Sequence, residues 1–596
     1  MRDEIIISNL GALCIPQGNI SDKRIKSKWT SYPYETGNVK GSMLLSPHDG
    51  NPEDVILFPE ISGWYKIFVG MYCEWEGRCK VEMKLSEDGA FYTMSPTLGE
   101  RYGEHYIEDV YWKCADMSGQ SIVIGKHSSE LYARDANVAW FRFVPMTDDE
   151  VMEYINDKKR TDTKRLYAAD DMHNKLCFCN MSSDEAWRKT VQAYINTDVE
   201  WLAIEDLGRD AGKVTDCDVS EFSFAYNHQF DFYNGYKNYS YDTLKTVVDY
   251  GKENNIKMCI SQRIAGWGME YPEDKMFFEN DFAKNHPEYR CVDRDGDITD
   301  YMSFAYPEVQ DYIIDEFVKM AETGCDAVQP LFSRGWPYIL FEKPFVDAFY
   351  EMYNEDAREL PLDNPKIIKL KCRMMTEFIR RLRVKLDEVR KENPVEFHAK
   401  VLFSVYDNLL VGLDIEEWAR EGLVDRIISD ERRIREILDE SIFDNGKINI
   451  EKYTEYARSC SENYIHYDYD DIFPPFPDST GELKGPVNQK QRIAEFMELE
   501  KKYGITVYIE IMPRIMNTDE IKRKALEIYD SGCEHIALWD TETRSVRSSE
   551  WTMWRRIGHK NELEGFTNGS GELYSRHRLI KLGDKNIRGY KPIWTG

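Results

Sequence analysis

The alternation of apolar and polar positions changes character once along the chain. Up to about residue 145, short apolar runs are separated by clusters of Gly, Pro, Asp and Ser. The runs are ILF (56–58), WYKIFVGMY (64–72), KVEMKLS (80–86), SIVIG (121–125) and VAWFRFV (138–144). Runs of that length, broken by turn formers, predict antiparallel strands in a two-sheet sandwich. The polar stretch MTDDEVMEYINDKKRTDTKR (146–165) then carries helical spacing and predicts a connector. The expected division is a sandwich over 1–147 and a linker over 148–174.

From about Lys175 strand-length runs alternate with amphipathic stretches. The runs are KLCFCN, VEWLAIED, IKMCISQR, CDAVQPLFSR, FHAKVLFSVY, VDRIISD, TVYIEIMPR and EHIALWD. The stretch from Gly504 to Arg544 shows the unit in full. An apolar run stops at Pro513, and Thr518, Asp519 and Glu520 supply a cap and an acidic first turn. Ile521, Ala525, Leu526 and Tyr529 recur at helical spacing, Gly532 ends the helix, and a second buried run follows. Strands joined through a helix run parallel, so helices cover the sheet. Eight such strands predict a (β/α)8 barrel over 175–560, with a doubly wound sheet as the alternative. The remaining 561–596 form a C-terminal extension whose run 578–585 is expected to return as a strand to another domain.

The connections add direction. Links from helix to strand are tight (ENNIK, ETGCD, EGLVD, KYGIT, DSGCE). Those from strand to helix are long, from Gly208 to Ser240, Ala265 to Tyr306, Gly335 to about Lys366 and Glu431 to Gly485. One end of the barrel is trimmed and the other decorated, and long structured loops on one end build clefts. The loops 222–242 and 463–485 mix Tyr and Phe with Asp and Asn, side chains suited to the apolar face and hydroxyl rim of a sugar ring. Trp64, Trp75 and Trp140 of the sandwich read as core residues.

Composition narrows the partners. With 77 basic and 106 acidic residues the net charge is −29, and no basic tract offsets it, which argues against nucleic acid and anionic membranes. No apolar run has the length of a membrane span, and the first residues carry no long apolar segment, so the expectation is a cytoplasmic protein. The 13 cysteines follow no disulfide framework. Cys177, Cys179, Cys259, Cys325 and Cys533 sit in or beside expected strands, as small apolar residues would. No cofactor is expected: GDKNIRG and GRDAGK lack dinucleotide and P-loop spacing, and no GxSxG elbow is present.

Several stretches carry a family likeness: NHPEYR (285–290), MSFAYPEVQDYIIDEF (302–317), GCDAVQPLFSRGWPYILFEKP (324–344), WDTETR (539–544) and the closing YKPIWTG. In these the chain resembles the bacterial family-10-like glycosyl hydrolases, barrel proteins with an N-terminal β-sandwich. The resemblance implies a glycosidase-type barrel. Relatives read like DGLELDFMR in the fourth strand, whereas Gln329 and Leu331 here replace acidic positions and Arg334 remains.

Glycoside hydrolysis needs two carboxyl groups flanking the scissile bond. At strand ends stand Glu205 and Asp206, Asp430 and Glu431, Glu510, and Asp540 with Glu542. The expected catalytic pair is Glu510 or Asp540 with Glu205 or Asp206. Arg209, Arg263, Arg334, Arg514 and Arg544 follow strands, and several cations around one mouth need counter-charges. Those left over could hold an acidic sugar by paired hydrogen bonds. Trp267, Trp336, Tyr406, Asp430, His228 and Trp539 complete the expected substrate contacts. No metal site is expected. A metal-dependent barrel remains the second enzyme reading, with His228 and His466 in the decorated loops as ligands, since His398 and His535 open their strands and so face the opposite end. A barrel that binds glycans without cleaving them is the third reading.

Overall fold

The computed structural model describes residues 3–72, 79–96, 105–126, 135–172, 181, 183–206, 240–265, 267, 280–391, 394–431, 443–444, 447–448, 489–511, 518–539, 551, 553–565 and 574–586. Two antiparallel sheets open the chain. The larger runs in the order Ile5–Ile7, Trp140–Pro145, Trp64–Tyr72, Tyr106–Asp116, Tyr574–Leu582, Trp29–Thr36, Lys40–Ser46, Ala136–Val138. The smaller runs Val55–Leu57, Ile122–Gly125, Val81–Leu85, Tyr92–Met94. Alternate residues of both sheets turn inward to one core. Ile67, Val69, Val110, Trp112, Phe141 and Phe143 of the larger sheet meet Val55, Leu57, Val81, Met83, Ile122 and Ile124 of the smaller. Period-two burial of this kind defines a sandwich. Trp140 is core, its indole donating to Asp109 (2.8 Å), and Trp64 packs edge-on against Tyr154.

The C-terminal run begins four residues earlier than its pattern marks, and it is no peripheral addition. Tyr574–Leu582 lies between Tyr106–Asp116 and Trp29–Thr36, pairing antiparallel with both. This strand therefore joins two halves of the larger sheet, because each neighbour would otherwise present an unpaired edge.

Eight parallel strands close into a barrel: Leu166–Asp171, Val199–Asp206, Lys257–Gln262, Ala327–Pro330, Glu396–Val401, Arg426–Ser429, Thr506–Ile511 and Ile536–Trp539. Closure is by the first strand against the eighth, Leu166 opposite Ile536. Seven of the eight expected runs supply these strands. The first strand departs from the expectation, for Leu166–Asp171 lies within the segment read as linker, while KLCFCN falls outside the described residues. LYAADD is weak in β-branched residues and ends in two carboxylates, so local preference hides it. Burial between two parallel neighbours overrides that preference. Before it, Thr147 and Glu150 close a capping box on the helix Asp148–Asp157, which is how the connector starts.

Helices wrap the barrel, their apolar faces set on the outward strand positions. Val191, Leu244, Val309, Phe317, Ile379, Trp418, Phe496 and Ile521 share that layer with Leu202, Ile260, Val328 and Ile509. Inside, Ala203, Cys259, Ala327 and Ala537 leave room for Tyr167, Trp201 and Tyr508, so the lower barrel is filled rather than hollow. Two ion pairs, Lys189 to Glu82 and Lys84 to Glu185, tie the sandwich strand Val81–Leu85 to the barrel helix Asp184–Gln192. The eight described cysteines are unbridged and buried, and burial pushes the thiols of Cys14, Cys325 and Cys533 up to about 12. Among the described residues no helix is long and apolar enough to cross a membrane.

Candidate active site at the barrel mouth

Parallel strands alternate their side chains between the barrel axis and the helical layer, so register decides which polar residues meet. The inward series climbs from Tyr167, Trp201 and Tyr508 to a polar upper tier. Asp171, Glu205, Asp430 and Glu510 stand there, none more than 5% exposed. Charged groups so buried must be paired.

They are paired on two opposite walls. On one, Asp171 ends the first strand and Glu205 lies directly beside it on the second. Arg263, just past the third strand, donates from Nε to Glu205 Oε1 and brings Nη2 to 3.8 Å from Asp171 Oδ2. The other oxygen of Glu205, Oε2, is buried and has no hydrogen-bond partner among the described residues. The same holds for Ser261 Oγ, whose residue is register-paired with Glu205. These two atoms stand side by side on adjacent strands.

On the other wall Lys400 of the fifth strand is the centre. Its ammonium, 2% exposed, donates to Glu510 Oε1 and lies 3.9 Å from Asp430 Oδ2. Ser333 Oγ donates to the same Asp430 oxygen at 2.6 Å. The Trp539 ring, on the eighth strand, faces Lys400 Nζ at 3.7 Å and the Arg334 guanidinium carbon at 5.9 Å, a favourable contact of cation with π-face. Behind the sixth strand the wholly buried Arg492 bonds Ser429 Oγ at 2.9 Å, and it feels the charges of Glu431, Glu510 and Asp430.

Beneath the mouth a hydrogen-bonded chain fills the axis. Gln329 donates to the Tyr167 hydroxyl (2.9 Å), which meets His398 Nδ1 (3.0 Å), and His398 Nε2 meets Glu396 (2.9 Å). Arg426 bonds Glu396 at 2.7 Å. Burial pushes the His398 imidazole below its ordinary value, and the Glu396 contact only partly offsets that. As its strand position requires, His398 lies on the far side of the tier from the loops. Among the described residues no three His, Cys, Asp or Glu side chains are grouped to hold a metal ion.

The structure brings together Glu510, Asp430, Trp539 and Arg334 on one wall and Glu205 with Arg263 on the other. It removes Trp267 from the cleft. That ring is 4% exposed and packs on Phe282 and Tyr312 at 6.1 and 5.8 Å, within the outer core. Trp336 belongs to the same outer core, and Tyr406 is half-buried on the helix Val405–Leu410. Arg263 is engaged by Glu205 and lies near Asp171. The side chain of Asp206 and residues His228, Arg514, Asp540, Glu542 and Arg544 lie outside the described residues, as do most of the aromatic loops 222–242 and 463–485. Lys400, Asp171 and Ser333 escaped the sequence reading. The alternation Glu396, His398, Lys400 along a buried strand is the signal that could have found the first: three polar residues at period two share one face of the strand.

No protein-family model matches the chain, and no curated protein matches it. Likeness is found among solved structures. The catalytic domain of β-amylase from Paenibacillus polymyxa is 11% identical, over 67% of this chain and 99% of that one, with a TM-score of 0.39. The PgaB (BpsB) glycoside hydrolase domain from Bordetella bronchiseptica is 8% identical over 68% and 99%, with a TM-score of 0.38. The α-galactosidase of Thermus thermophilus is 10% identical over 89% and 94%, with a TM-score of 0.33. These neighbours are glycoside hydrolases. At such scores the likeness transfers no residue role and no activity.

Proposed function

We propose that the chain is a glycoside hydrolase acting on an oligosaccharide or glycan by paired-carboxylate chemistry. The observation that carries the reading is the facing of two walls, each with a buried carboxylate pair gathered on one cation. Glu205, with a carboxylate oxygen unengaged among the described residues, is the proton-transferring group. Glu510, clamped by Lys400, is the anionic partner. The family-10-like motifs of the sequence agree with this class.

Spacing gives the reading its stereochemical edge. Eight strands about 4.8 Å apart, tilted by about 36°, close a barrel roughly 15 Å across. Two glutamates reaching inward from the second and seventh strands then leave a gap on the order of 6–9 Å, which is the inverting range, whereas neighbours on one wall stand near the retaining range of about 5 Å. A neutral sugar suits the first wall, since Arg263 is already engaged.

The experiment is a panel of aryl glycosides and natural oligosaccharides with wild type, Glu205→Gln and Glu510→Gln. Loss of turnover by at least about 100-fold in each variant is expected, as for removal of an acid–base group. Proton NMR should show the inverted anomer first. Hydrolysis unaffected by either change sinks the assignment. A second reading, a barrel that binds glycans without cleaving them, is favoured by the burial of Glu510 under Lys400. Glycan binding that persists in both variants, with no cleavage by wild type, would establish it.

A further inference from the structure

Lys400 is an unusual occupant of a barrel interior. Three strands deliver groups that fit a cation: Glu510 from the seventh, Asp430 from the sixth, and the face of Trp539 from the eighth. Leu331 of the segment following the fourth strand is bridged to it by backbone pairing. Among the described residues, the other charges near the cluster are Arg334, beyond the Trp539 ring, and Arg492, behind the sixth strand with Glu431 3.8 Å from it. Two carboxylates and a π-face all favour the ammonium over the free amine, so Lys400 is poorly placed to attack a carbonyl and form an imine. What remains for it is to act on its neighbours.

The two carboxylates are not equivalent toward it. Asp430 is also held by the Ser333 hydroxyl at 2.6 Å and stands 3.9 Å from the ammonium, whereas Glu510 receives a direct hydrogen bond from Nζ. An ammonium in direct contact favours the charged form of a carboxyl group and fixes the oxygen it touches. Without it, Asp430 and Glu510 on neighbouring strands would repel, and one would take up a proton.

We propose that Lys400 is a positioning residue that holds Glu510 ionised and in one orientation, as the anionic group of this wall. For its consequence on turnover the inference rests on the glycosidase reading, while the ionisation itself rests on the cluster alone.

The test separates the two. Infrared titration of wild type, Lys400→Met and Lys400→Arg, with the Glu510 band assigned by difference against Glu510→Gln, follows protonation without any substrate. Lys400→Met should move the Glu510 midpoint up by about one to three pH units, the size of effect an adjacent opposite charge exerts. Lys400→Arg should leave it near wild type. The acid limb of kcat/KM, on any glycoside the wild type turns over, should move with the band. An unmoved midpoint in Lys400→Met overturns the proposal, and so does activity that falls equally at every pH. If Lys400→Met fails to fold, Asp430→Asn serves instead. It removes the competing charge of Asp430 from the ammonium and should lower the midpoint, and a midpoint that stays put again overturns the proposal. If wild type cleaves no glycoside, the hydrolase reading falls, and the infrared midpoints still decide the role of Lys400.

Discussion

His559 joins three elements at the end of the barrel away from the mouth, and its chemistry makes that junction sensitive to pH. Nδ1 lies 2.6 Å from Asp198 Oδ2, just before the second strand, and Nε2 lies 2.8 Å from Asp157 Oδ1, at the end of the helix Asp148–Asp157. Arg556 and Arg160 approach Asp157 at 4.0 and 3.5 Å, and Arg160 also pairs with Glu562. Burial alone would push the imidazole down, but hydrogen bonds to both carboxylates more than offset it and raise it to about 9 from 6.5. Each pH unit of displacement is worth about 1.36 kcal/mol, which sets a ceiling of about 3 kcal/mol. Asp157 is 30% exposed on its side chain, so screening brings the expected contribution to about 2 kcal/mol. The folded-state value is raised, so this stability is complete below about 6.5 and is lost as the pH climbs through about 9. Urea unfolding of wild type and His559→Gln at pH 6, 7.5 and 9.5 isolates it, because other titrations cancel in the difference. The gap should be near 2 kcal/mol at pH 6 and shrink toward zero by pH 9.5. A gap that stays constant across the series would show that His559 packs without charge, and the linkage argument would be refuted.

Two further outcomes concern the sandwich. Lys126, 6% exposed, donates to the carbonyls of Pro47 (2.6 Å), His48 (3.1 Å) and Gly50 (2.7 Å). Lys126→Met leaves three acceptors without their donor and should cost about 2–4 kcal/mol in urea unfolding, and a loss under 0.5 kcal/mol on the order of a surface change would contradict it. A chain ending at Gly565 loses Tyr574–Leu582 and opens edges on Tyr106–Asp116 and Trp29–Thr36. It should aggregate on size exclusion and yield to protease within the sandwich, whereas a monomeric, resistant product would show that the larger sheet holds without this strand.

Much of the barrel is legible in the residues because its signals are local. TVYIEIMPR and EHIALWD announce themselves by apolar runs with turn formers, and the helix between them by Thr518 and Gly532. The first strand is missed because LYAADD has little of the β-branched character that marks a strand. Tyr106–Asp116 is missed because its charged positions, Glu108 and Asp109, are buried and paired rather than exposed. In the candidate site Glu205, Asp430, Glu510, Arg263, Arg334 and Trp539 follow from one rule, that polar residues at strand ends face the mouth. Trp267 fails because that rule says nothing of side-chain direction once the strand has ended. Lys400 fails because a lysine inside an apolar run reads as a surface residue until closure of the sheet turns it inward.

The linear order of apolar and polar residues determined the strand–helix period, the trimmed and decorated ends, and the set of charges that arrive at one rim. Each depends on neighbours a few positions away, which the chain states outright. Which charges touch was decided by closure and register: only a ring of eight strands sets Glu510 against Lys400 and Glu205 against Arg263. Electrostatic partnership falls off within a few ångströms, and no spacing along the chain encodes separations across a barrel.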